Sequence, residues 1–346
     1  MAWWQKQRSG DNSQNIQAAV ANFGLGYEDV LAVVSNYVDA SLTKLSQAAF
    51  EEARDRVEEL TVNYLKEVKE RRPEALENAR DPGVQASILD AQSAYAKSGD
   101  AELGQVLVEM LVKRTDSTDR NVQQLALTEA IVAAGKLSSR HIQLITALFV
   151  ALAVTYNTPP NPSALYELSA KHLSPFLRGL TASVADVQYL ADTGATRIEL
   201  LSERHIASSY RQRYPGLFCK GFNEETQPAA RRYLGTPLLV PCIRDMTLLQ
   251  VNAVGEADLK STLAERGMES AMAELSALLG ANPMPDDEVE RELVESVPGM
   301  RGFLRLWRGT PLKNSVPSIV GMVIAHANLR KTLGVEFTAD LGIWVS

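Results

Sequence analysis

One stretch of the sequence, residues 39–72, constrains the fold more than any other. Its charged residues occupy one side of a helical projection, and Pro73 ends the pattern because the residue before a proline avoids the helical region. The apolar residues recur every three or four positions, which places them on the opposite side: Leu42, Leu45, Ala49, Ala53, Val57, Leu60, Tyr64, Leu65 and Val68. The pattern predicts one amphipathic helix about 50 Å long. The apolar side of this helix, called its stripe below, must be buried against a partner, either the helices that follow or a second copy of the chain.

The residues that follow continue the helical pattern to position 156. Asp100 is placed to cap one helix, and Gly135 is placed to end another. Because the links between these helices are short, antiparallel neighbours are favoured. The apolar run Leu144–Val154 is too short for a membrane span and predicts a buried core helix. Residues 27–156 are therefore predicted to form a helical bundle.

A proline-rich segment at residues 157–162 is the clearest boundary in the sequence, because three prolines within four residues cannot lie inside a helix. Beyond it, residues 163–346 predict a mixed, mostly helical α+β domain with a few short strands. Three short helices are expected at 256–265, 270–279 and 286–294. The alternation from Phe337 to Val345 predicts a final strand. The predicted fold class is mainly α.

The first 26 residues form a head of different character. Ile16, Ala18 and Val20 alternate with neighbours in a weak strand pattern, yet no other strand is predicted nearby. The head strand would therefore have to pair with another copy of the chain, dock elsewhere or stay disordered. Together with the long helix it suggests self-association, through these candidate residues: Ile16, Ala18, Val20, Leu45, Val57 and Leu60.

Composition points to a cytoplasmic protein without a strong nucleic-acid signal. The net charge is −7, whereas a nucleic-acid-binding surface that covers a whole protein is normally basic. Cys219 and Cys242 have no metal-ligand spacing, and with no signal peptide recognised they are expected to be reduced thiols. Trp3 and Trp4, beside two cations, offer only a weak indication of membrane contact.

The motif search assigns no catalytic residue, cofactor or metal. There is no phosphate-binding glycine loop, no zinc-protease motif and no nucleophile elbow. No histidine has a second histidine or a cysteine at helical ligand spacing. Glu203 and His205 offer an acid and a base two positions apart, but without a structural context.

The best polar cluster in the sequence combines Cys242, Arg244, Asp245 and Asn252, set among apolar residues. Two interpretations stay open for it. An arginine–aspartate pair in an apolar setting is commonly structural, which favours a hydrogen-bonded loop. The same residue types in a pocket would instead indicate an active site.

Both ends of the chain carry a resemblance. The opening Ser9 to Ala18, with its Gly-Asp-Asn-Ser run, resembles the opening of several uncharacterised bacterial proteins, many of them found among phage-defence and mobile-element genes. The closing segment, a glycine-containing helix near Gly321 followed by Ile343-Trp344, resembles the end of the same group. The segments 240–245 and 249–253 are also similar to it. The resemblance implies a bacterial cytoplasmic protein with a role in defence, and it carries no catalytic residue.

Together these observations favour a non-enzymatic, self-associating interaction protein that acts as a sensor, scaffold or effector in anti-phage defence. The alternative is an enzyme of unrecognised type with its site near Arg244, Asp245 and Asn252. A weaker alternative is an effector that acts on membranes under some conditions, using Trp3, Trp4 and the run 144–154. The ligand, the trigger and the protein partner are left open.

Overall fold

The computed structural model describes residues 46–346, and its fold is mainly α, as the sequence predicts. The predicted head and Leu45 lie outside the described residues. The α-helices are α1 Gln47–Arg71, α2 Pro82–Ser98, α3 Ala101–Thr115, α4 Val122–Ala134, α5 Ser139–Ala153, α6 Pro162–Leu177, α7 Val184–Asp192, α8 Ile206–Arg213, α9 Glu256–Glu265, α10 Met272–Leu279, α11 Asp286–Ser296, α12 Met300–Gly309 and α13 Ile319–Leu333. The strands are β1 Thr196–Ile198, β2 Leu239–Pro241, β3 Leu249–Val251 and β4 Ser315–Pro317.

The chain divides into two compact units that differ from the predicted domains. Unit 1 comprises Met1–Thr146, described from residue 46, together with Gln188–Arg197 and Pro317–Ser346. Unit 2 comprises Ala147–Val187 and Ile198–Val316. The proline-rich segment 157–162 therefore lies inside unit 2, and the last long helix belongs with the N-terminal bundle.

Unit 1 is a helical bundle built around α3. This helix packs against α1, α2, α4 and α13, so almost its whole circumference is buried, and Val106, Leu107 and Met110 are among the most buried residues of the chain. A helix with packed neighbours on most sides lies in the centre of a bundle, and the exposed Gln105 marks the side that α3 leaves to solvent. Side-chain oxygens of Asp81, Asp100 and Asn121 cap the starts of α2, α3 and α4.

The apolar stripe of α1 is covered by the chain itself. Val57 is fully buried and Leu60 is 2% exposed, because α2 and α3 pack along this face. Arg72 follows the helix and Pro73 opens a 3₁₀ turn, so the predicted end is confirmed. The sequence left two possible partners for the apolar stripe, the following helices or a second copy of the chain. Over the described part of α1, the following helices are the partner.

Gly321, near the start of α13, marks a close approach within unit 1. A Cβ atom at this position would lie 1.9 Å from the carbonyl oxygen of Ala195. The same oxygen accepts a hydrogen bond from the backbone N–H of Ser318. Only glycine allows α13 to come this near to the neighbouring backbone.

Unit 2 is made of shorter elements. Strands β2 and β3 form an antiparallel hairpin with Leu239 opposite Val251, and α9 and α10 pack beside it. Helix α11 contacts α6, α8 and α12. The three short helices predicted for residues 256–294 are present as α9, α10 and α11. The core around the hairpin consists of Phe222, Ala230, Tyr233, Leu238, Leu239, Val251, Ala253, Leu259, Leu263, Leu275, Leu278 and Leu279.

The predicted C-terminal strand is wrong. Residues 337–345, called the tail below, contain a 3₁₀ turn at Leu341–Ile343, and Asp340 accepts a hydrogen bond from the backbone N–H of Gly342. Burial follows every fourth residue, Phe337, Leu341 and Val345, while Ile343 is 67% exposed. The alternation of apolar residues did not predict the backbone here, because the turn at Asp340 and Gly342 breaks the extended conformation and leaves Ile343 exposed.

The apolar run 144–154 lies largely in α5, where Leu144, Leu148 and Phe149 are fully buried. The predicted buried helix is thus confirmed. Within residues 46–346, no helix is long and apolar enough to cross a membrane.

Candidate functional site

The four residues of the predicted polar cluster have different surroundings. Cys242 is fully buried and donates to the carbonyl oxygen of Cys219 at 3.6 Å. Asp245 is exposed, and its carboxylate accepts from the backbone N–H and the hydroxyl of Thr247 at 3.0 and 2.6 Å. Asn252, also exposed, donates to the carbonyl oxygen of Pro237 at 3.0 Å. Their hydrogen bonds therefore go to separate partners.

Arg244 is the centre of a half-buried network in unit 2. Its two terminal nitrogens contact the two carboxylate oxygens of Glu292 at 2.5 and 2.9 Å, and its Nε donates to the carbonyl oxygen of Leu217 at 3.1 Å. The guanidinium carbon lies 5.8 Å from the centre of the Phe218 ring. Such a two-point arginine–carboxylate pair is strong and directional, so it fixes the loop after β2 onto α11.

Tyr166 completes the network, since its hydroxyl donates to the same carboxylate of Glu292. Burial raises the pKa of Glu292, but the hydrogen bonds from Arg244 and Tyr166 outweigh burial and leave it below its ordinary value. Sequence reasoning missed Glu292 and Tyr166. They lie 48 and 78 positions from Arg244, and no local spacing connects them.

Both cysteine thiols are buried. Burial raises the pKa of Cys219 above its ordinary value, and a thiol that stays protonated is a poor nucleophile. Among residues 46–346 there is no group of three histidine, cysteine, aspartate or glutamate side chains that could hold a metal ion.

Unit 1 contains a cavity of about 110 Å³ at the meeting point of α1, α3, α13 and the tail. We call it the charged cleft. Its apolar wall includes Met110, Leu127 and Val323, and its polar lining consists of Arg71, Arg72, Glu109, Lys113, Asp116, His326, Arg330 and Asp340. Among the described residues that line it, none is a serine, threonine or cysteine that could serve as a nucleophile.

Ion pairs connect the charges of the cleft to one another. Arg71 donates to both carboxylate oxygens of Glu109, at 2.7 and 2.8 Å, and Arg330 approaches the same carboxylate at 3.8 Å. Lys113 lies 3.2 Å from Asp116 and 3.0 Å from Asp340. The carboxylates are thereby held as structural partners of the cations, and Lys113 ties the tail to α3.

His326 of α13 fixes the tail from the other side. Its Nε2 lies 2.9 Å from the carbonyl oxygen of Ala339, and because a carbonyl can only accept, Nε2 carries the proton. The ring contacts Phe337 and Trp344 with centroid distances of 5.4 and 5.9 Å. Burial lowers the pKa of His326 from 6.5 to about 4, so the imidazole is neutral at pH 7 and too weak a base for efficient proton transfer.

The candidate self-association residues divide into two groups. Val57 and Leu60 are buried within unit 1, so they offer no surface to a second copy. Ile16, Ala18, Val20 and Leu45 lie outside the described residues. His205, the other histidine considered from the sequence, is exposed and precedes α8.

Comparison with known proteins places the chain in a family. No curated protein and no solved structure matches the sequence. A family model described as ":-like" matches residues 24–345, which is most of the chain. The description names no reaction, ligand or partner. The chain belongs to the family that this model defines.

Proposed function

We propose that this protein is a non-enzymatic interaction protein that self-associates. The observation that carries the proposal is the pairing of Arg244 with Glu292. The most promising catalytic group in the sequence is thereby engaged on three sides within its own unit. The charges of the cleft are paired in the same way, and the thiols are buried.

The self-association part of the proposal rests on the head. Ile16, Ala18 and Val20 have the alternation of a strand, and an unpaired strand commonly pairs with another chain. The stripe of α1 no longer supports it, because α2 and α3 cover Val57 and Leu60. A symmetric dimer is the simplest assembly of this kind.

The finer proposal, a sensor, scaffold or effector in bacterial anti-phage defence, rests on the resemblance of the two ends of the chain. The enzyme alternative near Arg244, Asp245 and Asn252 gains no support from their separate hydrogen bonds. The weaker alternative, an effector that acts on membranes, is no longer supported by residues 144–154, because most of them are buried in the core.

Solution mass tests the proposal. The full-length chain, 37.8 kDa as a monomer, is expected to show a multiple of that mass in light scattering at micromolar concentration. Deleting residues 1–22 should return the protein to the mass of one chain, while its circular dichroism and melting temperature stay unchanged. Replacing Ile16, Ala18 and Val20 by serine should act in the same way, because it keeps the head but removes its apolar alternation.

Two outcomes contradict the proposal. A full-length protein that is monomeric at these concentrations removes self-association. An oligomer that survives both the deletion and the serine variant excludes the head as its cause. Leu60→Glu is unsuitable as a test, since burying a charge at a position 2% exposed would unfold unit 1.

A further inference from the structure

Helix α12 in unit 2 is divided between an apolar and a basic side. Met300, Phe303, Leu304 and Trp307 are buried. Arg301, Arg305 and Arg308 are exposed, and their spacing of four and three residues places them on one side of the helix. We call these three arginines the basic face.

The acidic neighbours of the basic face come from α11, which packs against α12, and not from its own part of the sequence. The sequence contains no aspartate or glutamate between Ser296 and Val335. Arg308 pairs with Glu290 of α11. Within residues 46–346, the structure shows no hydrogen bond or ion pair from Arg301 or Arg305. Surface arginines in this chain are otherwise commonly paired, so two adjacent unpaired guanidinium groups are available to an anion.

The surface beside these arginines is open. Among residues 46–346, and apart from the helix's own backbone, a Cβ atom at Gly302 or Gly309 would meet no atom within 4 Å. Both glycines leave the backbone of α12 uncovered, which allows a flat anionic surface to approach the helix closely.

An apolar turn lies next to the end of α12. The backbone N–H of Ser202 donates to the carbonyl oxygen of Glu199 at 3.0 Å, which closes a turn. Between them, Leu200 and Leu201 are 84% and 104% exposed. We call this segment, Glu199 to Ser202, the leucine turn. Two neighbouring leucines exposed to this degree favour contact with an apolar phase.

The leucine turn is held firmly rather than left loose. Asn314 donates to the carbonyl oxygen of Ser202 at 3.2 Å and accepts from the N–H of Glu199 at 2.8 Å. Arg204 pairs with the carboxylate of Glu199 at 2.6 Å. The indole N–H of Trp307, on the buried side of α12, donates to the carbonyl oxygen of Arg204 at 2.7 Å, which joins the residues just after the leucine turn to α12. The backbone of the two leucines is therefore preorganised, so little conformational entropy is lost when they bind.

We propose that the basic face and the leucine turn form a docking site for an anionic lipid bilayer. Arginines attract the negative surface of the bilayer, and the two leucines enter its apolar boundary. Stable attachment to a membrane surface requires two such signals together. A single-stranded nucleic acid fits less well, because it calls for exposed aromatic rings, whereas Phe303 and Trp307 are buried in the core.

The inference goes beyond the proposed function and concerns a different set of residues. Because the whole chain carries a net charge of −7, its attraction to an anionic bilayer can come only from the local positive charge of the basic face. Each arginine near an anionic surface strengthens binding by roughly fivefold at low salt. The attraction should weaken as salt is added, because screening shortens its range.

Vesicle co-sedimentation with the full-length protein tests this inference. Vesicles of phosphatidylcholine with one third phosphatidylserine should bind the protein, and vesicles of phosphatidylcholine alone should bind it far less. Arg301→Gln with Arg305→Gln is expected to lower the partition coefficient about 25-fold, and Leu200→Ser with Leu201→Ser should also lower it. Arg301→Lys with Arg305→Lys keeps the charge and should retain binding.

A matched control removes two exposed arginines elsewhere, Arg120→Gln with Arg140→Gln, and should bind like the wild type. The inference is overturned if the wild type shows no preference for anionic vesicles, if the control loses as much binding as the basic-face variant, or if the leucine variant binds normally. Tighter binding to a short RNA or DNA than to the vesicles, with the same dependence on Arg301 and Arg305, would also overturn it. None of these outcomes changes the solution mass measured without lipid, so this inference and the proposed function can fail separately.

Discussion

The charged cleft of unit 1 and the basic face of α12 in unit 2 contain the same kinds of cation in opposite settings. In the cleft, Arg71 binds Glu109 and Lys113 binds two aspartates. On α12, Arg301 and Arg305 have no such partner among the described residues. The cleft connects α1, α3, α13 and the tail, whereas within residues 46–346 only Arg308 of the basic face pairs with another element, through Glu290 of α11.

This difference separates two uses of an arginine. A guanidinium with a fixed carboxylate partner positions backbone segments, and its loss leaves the partner charge unsatisfied. An exposed guanidinium without a partner contributes little to stability and is free for an external anion. The number of arginines in a segment therefore says less about function than their pairing does.

The largest effect is expected from the tail, which closes the cleft. Truncation after Asp340 removes Leu341 and Val345, which are 1% and 2% exposed. Burial of two such side chains contributes about 3 to 6 kcal/mol to the free energy of unfolding, and denaturant titration should show a loss of this size. Removal of Ser346 alone, an exposed residue, should change nothing. An unchanged stability after the longer truncation would mean that the tail is not part of the core of unit 1.

A smaller effect is expected from the pH dependence of His326. Its pKa is about 4 in the folded chain, mainly because of burial, against 6.5 as the ordinary value. As the pH falls below 6.5, the unfolded chain takes up the proton first, so stability is complete above that pH and is lost towards pH 4. Between pH 7 and pH 5 this histidine should account for about 2 kcal/mol of lost stability.

The check is a comparison of wild type with His326→Gln at both pH values. The glutamine variant should be less stable at pH 7, yet its stability should change less on going to pH 5. Equal pH slopes in the two proteins would show that His326 is not held neutral by the fold.

The long elements of the fold could be predicted from the sequence, because their signals are local. The periodicity of residues 39–72 indicated α1 and its end at Arg72, and Asp100 and Gly135 indicated the limits of α3 and α4. Helix α12 was missed, since Gly299, Gly302 and Gly309 weaken its helical signal, even though its arginines and apolar residues alternate with helical spacing.

The candidate sites depended on contacts that no local pattern records. Arg244 could be selected from the sequence as an unusual charge among apolar residues. Its partner Glu292 could not be selected, because α11 contains several acidic residues and its sequence does not show which of them contacts the loop after β2. The boundary between the units was misplaced for a similar reason, since the return of α13 to α3 and α4 is a long-range event.

The comparison between the two regions is tested most directly by the free energy of unfolding of two variants. Arg71→Gln should lose about 1 to 2 kcal/mol, because Glu109, whose side chain is 9% exposed, would lose both of its short hydrogen bonds from Arg71. Arg301→Gln with Arg305→Gln should stay within about 0.5 kcal/mol of the wild type, as expected for exposed side chains away from structural contacts. A double variant on α12 that is as destabilised as Arg71→Gln, or an Arg71→Gln protein as stable as the wild type, would contradict the distinction between paired structural arginines and a free docking face.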